Sequence, residues 1–331
     1  MRRPTSPLFV LVILGCCCAG RAGDLLATQK PIPLDNVNGR IDHLAADVAG
    51  HRLFVAELGN NTLDVIDTEN AKVIHRIGGL PSPQGVAYLP DLKRLAVACG
   101  GDGSLRLFDE KLKPLKQIDL HDDADNIRYD AAAQRLWVGH ASALAVIDPV
   151  KGVQVADIPL AGHPEAFALE TQGPRMYVNV PSNQQVSVID RQKMAVIDQR
   201  PLVGERENFP MALDEPTNRL FIGARRDPML VVLDTQTGKP IATRASPRDC
   251  DDLFFDADHQ RVILSCGEGF VAVYDAGGAR QYQPLANLAT APGARTSLFV
   301  PEWNRLFVAV PHRGDQRAEI RVFDTAAPGR S

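Results

Sequence analysis

The feature that most constrains this 331-residue chain is a pattern that returns seven times at intervals of about 42 residues. A basic or polar residue followed by a short apolar run is anchored at Leu53, Leu95, Leu136, Met176, Leu220, Val262 and Leu306, with intervals of 42, 41, 40, 44, 42 and 44. Each run is followed by another that ends in aspartate: Ile66-Asp67, Phe108-Asp109, Ile147-Asp148, Ile189-Asp190, Leu233-Asp234, Tyr274-Asp275 and Phe323-Asp324. Two registers that keep step through seven copies define one structural unit. Segments such as Leu63-Asp64-Val65-Ile66 and Val186-Ser187-Val188-Ile189 are β-branched and bounded by Gly, Asn and Asp, which favours strands. No segment sustains a helical period. The closing aspartate can accept backbone N–H groups and so start a hairpin turn, as expected at Pro149-Val150-Lys151-Gly152 and Thr235-Gln236-Thr237-Gly238.

A lone four-stranded sheet cannot bury both of its faces, whereas a ring of such sheets can, leaving only short edges. The expected fold is therefore all-β: a seven-bladed β-propeller of four-stranded antiparallel blades, forming a single domain over residues 23–331. After Asp324 only seven residues remain, too few for a turn and a full fourth strand. The stretch Gln29 to Leu34 aligns with fourth strands such as Lys116-Gln117-Ile118-Asp119-Leu120 and is expected to close the ring. Pro31 and Pro33 suit an outermost strand, where a missing donor faces solvent.

The segments Arg52-Leu53-Phe54-Val55-Ala56, Asn60 to Thr68 (NNTLDVIDT) and Tyr177-Val178-Asn179-Val180 resemble the YVTN-type seven-bladed repeat family of exported bacterial proteins. The resemblance extends over residues 23–331. It implies a propeller scaffold and leaves the chemistry open. The Gly-His…Trp-Asp pairing of WD repeats is absent.

Residues 1–22 read as a signal peptide: Arg2-Arg3, the apolar run Leu8 to Leu14, then small residues up to Ala22. Ile13-Leu14-Gly15-Cys16 also resembles a lipoprotein signal, with Cys16 as the lipid-bearing residue. The expected location is the periplasm or the exterior, with or without a lipid tether and with no transmembrane span. Loss of Arg2, Arg3 and Arg21 would take the formal charge from −4 to near −7. That balance opposes binding to nucleic acid. Of the six cysteines, Cys99, Cys250 and Cys266 lie beyond the signal. Cys250 and Cys266 flank the first hairpin of blade six and are candidates for a disulfide in an oxidising compartment. No Cys-x-x-Cys-His occurs, so covalently attached haem is not expected.

In a propeller the starts of the first strands and the ends of the second strands converge on one mouth of the central channel. The repeat register places Asp42, Gln84, Asp125, Glu165, Phe209, Asp251 and Arg295 in one column there, and His43, Gly85, Asn126, Ala166, Pro210, Asp252 and Thr296 in the next. His163 and Asn208 stand just before blades four and five, and His140 ends a second strand. Pairing within a blade would set Asp125 near His140 and Asp42 near Glu57. The candidate ligand-binding residues are thus Asp42, His43, Asp125, Asn126, His140, His163, Glu165, Asn208, Asp251, Asp252 and Arg295. For a divalent cation, the candidate ligands are Asp42, His43, Glu165 and Asp251. Solvated polar residues at a wet channel mouth would give the same pattern.

No nucleophile–base motif is present, which points to a binding or interaction scaffold whose mouth holds a small molecule, an ion or a partner protein. The alternative is a metal-dependent lyase or lactonase-like enzyme using carboxylates and histidines at the same mouth. A ring closed on itself is expected to be a monomer.

Overall fold

The computed structural model describes residues 25–202, 204, 206–278 and 282–325. The expected signal peptide, residues 1–22 with Cys16, lies outside the described residues. Seven antiparallel sheets follow one another around a ring, at residues 44–78, 83–119, 127–159, 167–201, 206–245, 250–289 and 297–324, the last completed from the N-terminus. In each, sequence-adjacent strands are hydrogen-bonded neighbours, as in Leu44–Asp47, Arg52–Glu57, Thr62–Asp67 and Lys72–Gly78. No α-helix occurs among the described residues; three short 3-10 turns are present.

The aspartate at the end of the third strand does what its position predicts. Asp148 Oδ1 accepts the N–H of Val150 at 3.1 Å and of Lys151 at 3.0 Å. Asp67, Asp190 and Asp234 repeat this at distances of 2.8–3.0 Å. The turn is thereby fixed before the exposed fourth strand begins. The basic residue opening the second strand has its own purpose. Arg52, Arg219 and Arg261 reach back five residues to Asp47, Asp214 and Asp256 at 2.6–2.8 Å, clamping the first hairpin.

The core lies between blades. Second and third strands are buried on both faces, as at Leu53, Phe54, Val55 and Ala56, so they read as unbroken apolar runs. Fourth strands alternate with solvent. The ring closes through two short N-terminal strands, Ala27–Thr28 and Ile32–Pro33, both antiparallel to Glu319–Asp324. Gln29 N–H donates to Val322 O at 2.8 Å and Leu34 N–H to Ala318 O at 3.0 Å, so the ladder continues around Pro31, which has no donor. Ile32, Leu34, Val37 and Ile41 then pack with Leu53 and Val55 of blade one and Phe307 and Ile320 of blade seven. The seam between the two chain ends is thus an apolar core like the other interblade junctions.

The expected disulfide is corrected. Cys250 and Cys266 face each other as register partners, yet both thiols are free and fully buried. Cys250 Sγ is directed to Ala224 O at 3.7 Å, across the junction with blade five, while Cys266 Sγ turns to Leu264 O on its own strand at 3.8 Å. Directly opposed residues of an antiparallel pair seldom meet disulfide geometry, and here each sulfur has its own acceptor.

Candidate functional site at the channel mouth

The first strands line a central channel, and the residues just before them form a polar cup of about 190 Å³ at one end. The cup is walled by Arg40, Asp42, Asp125, His163, Glu165 and Asp251, among others. Asp125, Glu165 and Asp251 come from one column of the repeat and converge because every blade contributes the same position.

The charges sort into separate groups. Asp251 is held by two guanidiniums: Arg225 of blade five bonds its Oδ1, and Arg295 Nε reaches its Oδ2 at 2.9 Å. Arg295 also holds Asp249 at 2.9 Å, and the Arg225 guanidinium stacks 3.5 Å above the Phe209 ring. Burial still raises the Asp251 pKa against those two cations. His43 reaches Asp252 at 3.5 Å, and Ser297 N–H donates to the other oxygen of Asp252 at 2.8 Å. Burial works against the imidazolium of His43, but Asp252, helped by Asp42 and Asp125, raises it to about 10. Asp42 is buried and pairs with Arg40 at 3.2 Å; burial lifts it to about 6, with His43 opposing.

The third group has a different form. Asp125, His163 and Glu165 bring one ligand-capable atom each to within 4.8 Å of one another. His163 Nδ1–H donates to Ala141 O at 2.9 Å, which fixes the ring and turns Nε2 toward Asp125 Oδ2 at 3.7 Å. Asp125 is buried, and its Oδ1 finds no hydrogen-bond donor among the described residues. Such an orphaned carboxylate oxygen is costly unless something binds it. Burial raises Glu165 to about 8, reinforced by Asp125 and Asp251. Burial would lower His163, but the hydrogen bond and charge of Asp125 raise it to about 9.

Several expected positions are corrected. His140 is not at the mouth: its Nε2 meets Asp157 of the fourth strand at 2.8 Å, because the side chain points across the sheet. Asp125 therefore meets His163 of the next blade instead of His140. Asn208 is buried below the rim, where its amide donates to Asn179 Oδ1 at 2.7 Å and Gln185 O at 3.0 Å. Glu57 lies inside blade one with Thr62, Asp64 and Arg76, apart from Asp42. Asn126 lines the channel wall and accepts weakly from Arg128 at 3.5 Å. Of the four expected metal ligands, Asp42, His43 and Asp251 are engaged by Arg40, Asp252 and the two arginines. Only Glu165 joins the open group.

Arg40, Asp123 and Asp249 escaped the sequence reading. They stand two residues before the Asp42, Asp125 and Asp251 column, as His163 does before Glu165, so a third column was legible in the same register. Arg225 lies near the end of the second strand of blade five, and only the packing shows that it locks Asp251.

No family model and no curated protein matches the chain. Among solved structures the fold is widespread, with 1720 matching chains. One is the hydrazine synthase of Kuenenia stuttgartiensis, at 15% identity and a TM-score of 0.73, covering 88% of this chain and 98% of that one. At that identity the likeness establishes the seven-bladed β-propeller and nothing about its chemistry.

Proposed function

We propose that the protein is an exported binding module of the YVTN-type propeller family whose channel mouth holds a first-row divalent metal ion on Asp125, His163 and Glu165. The observation that carries this reading is His163. Its Nδ1–H is tied to a backbone carbonyl, the outer-shell bond that metal-binding histidines characteristically make, and its Nε2 is left facing Asp125, with Glu165 in the same group. One imidazole with two carboxylates suits Mn²⁺ or Zn²⁺ better than an all-oxygen Ca²⁺ cage. The ion would also give the orphaned Asp125 Oδ1 a partner. Metal binding would displace the proton from Nε2 and ionise Glu165, so affinity should rise with pH.

Three protein ligands leave coordination positions open toward the cup, where a small molecule or a partner's side chain can complete the shell. The lyase or lactonase alternative needs a free base beside the ion. Among the described residues His43 is held on Asp252 and His140 on Asp157, which favours binding over turnover.

The test is thermal unfolding of the purified protein after chelation, with Mn²⁺, Zn²⁺, Ca²⁺ and Mg²⁺ added singly. At about 100 times Kd, Mn²⁺ or Zn²⁺ should add roughly 2.7 kcal/mol and raise the Tm by roughly 5 °C. The gain should vanish in His163→Ala and Asp125→Asn and persist in His140→Ala. No shift with any of the four ions would end the proposal.

A further inference from the structure

Below the cup the channel widens into a second cavity of about 680 Å³ that runs along the first strands and is lined mainly by apolar side chains, among them Phe167, Phe254 and Phe299. Repeat position by repeat position, the channel-facing column reads Ala45, Ala87, Arg128, Ala168, Ala212, Phe254 and Leu298. One guanidinium thus interrupts a column of alanines and larger apolar residues.

Arg128 is half-buried in that wall, with its guanidinium carbon 5.4 Å from the Phe167 ring centre. Its Nη1 donates to Ile127 O at 2.8 Å and, at 3.5 Å, to Asn126 Oδ1. Among the described residues no carboxylate forms an ion pair with it. Asp252 and Asp125 act on it only at longer range. Asp252 is already committed to His43. This differs from every other arginine of the inner rings described above: Arg225 and Arg295 hold Asp251, and Arg52, Arg219 and Arg261 hold their hairpin aspartates. A guanidinium kept without a counter-ion beside apolar walls is a costly arrangement that a bound anion would relieve.

We propose that this channel is a binding site for a small amphipathic monocarboxylate, with the carboxylate on Arg128 and the apolar body against the phenylalanines that line the same channel. The volume lies within the range of small-ligand sites, and a guanidinium with free N–H groups can take a carboxylate through two parallel hydrogen bonds. The proposal is independent of the metal triad, which faces the cup on the other side of the His43–Asp252 pair.

The experiment is calorimetric titration of the purified protein, in the presence of a chelator, with 4-phenylbutyrate and octanoate. The neutral amides of both and octylamine serve as comparisons. At least one carboxylate should bind about tenfold or more tightly than its amide, since a hydrogen-bonded charge is being recognised, and octylamine should not bind. Arg128→Gln should lose that preference, Arg128→Lys should keep part of it, and Phe254→Ala should weaken acid and amide alike. Near-UV circular dichroism checks that each variant is folded; should Arg128→Gln unfold, the acid–amide comparison on the unaltered protein still decides. Equal binding of acid and amide, a preference for octylamine, binding unchanged in folded Arg128→Gln, or no binding of either carboxylate would each overturn the proposal.

Discussion

Glu57 shows how much one buried group shapes this protein's response to pH. It ends the second strand of blade one with no solvent exposure, and its Oε1 has no partner among the described residues. Thr62 donates to its other oxygen, while Arg76 is spent on Asp64 through two bonds of 2.6 Å. Burial, with Asp64 adjacent and Thr62 opposing, raises Glu57 from 4.5 to about 8. The folded protein therefore keeps a proton that the unfolded chain releases near 4.5. Stability from this group is complete below that pH and is lost progressively as pH rises toward 8, by on the order of a few kcal/mol. Glu57→Gln keeps an amide donor for Asp64 and carries no titratable proton. Its Tm relative to the unaltered protein should climb between pH 5 and pH 8; parallel Tm curves would contradict the assignment. A second residue-scale expectation concerns the thiols. Burial lifts Cys99 to about 11 and Cys250 to about 12, and lifts Cys266 as well, so all three should resist a thiol reagent until the protein unfolds. At this scale the sequence was a partial guide. Register named Asp125, Glu165 and Asp251 because it fixes where a backbone position sits on the ring. It misplaced His140 because the direction of a side chain at a strand end depends on what the outer strand offers, here Asp157.

Elements were far more legible, since strand period and turn chemistry are local. The closing aspartates form their turns as read, and the N-terminal strand closes the ring where the missing fourth strand left room. Its division into two pieces around Pro31 follows from a lost donor that the sequence already displayed. Closure should be worth a measurable part of the stability. Ile32 is buried in the seam between blades one and seven, so Ile32→Ala should cost about 2–4 kcal/mol. Urea unfolding would report it as a lower midpoint, and an unchanged midpoint would mean that the N-terminal strand does not hold the ring. Asp148→Ala, which removes the turn acceptor and long ion pairs to Arg135 and Lys151, should cost nearer 1 kcal/mol.

At the scale of the whole molecule, seven near-equivalent blades put seven copies of each position around one axis, and function resides in how those copies differ. Above the His43–Asp252 pair the columns carry opposed charges, of which arginines neutralise some and leave Asp125, His163 and Glu165 open. Below it they are mainly apolar, and Arg128 brings a guanidinium into that wall. The repeat made the fold readable because it recurs; the mouth was only partly readable because its pairings cross between blades whose partners no spacing rule specifies. His163 with Asp125, and Arg225 with Asp251, are such pairs. The most direct test of the central claim is anomalous diffraction from crystals grown with Mn²⁺ or Zn²⁺. The account predicts a peak in the cup about 2.0–2.3 Å from His163 Nε2 and from carboxylate oxygens of Asp125 and Glu165. A peak on Asp42, His43 and Asp251 instead, or no peak at the mouth at a metal concentration that saturates solution binding, would contradict it.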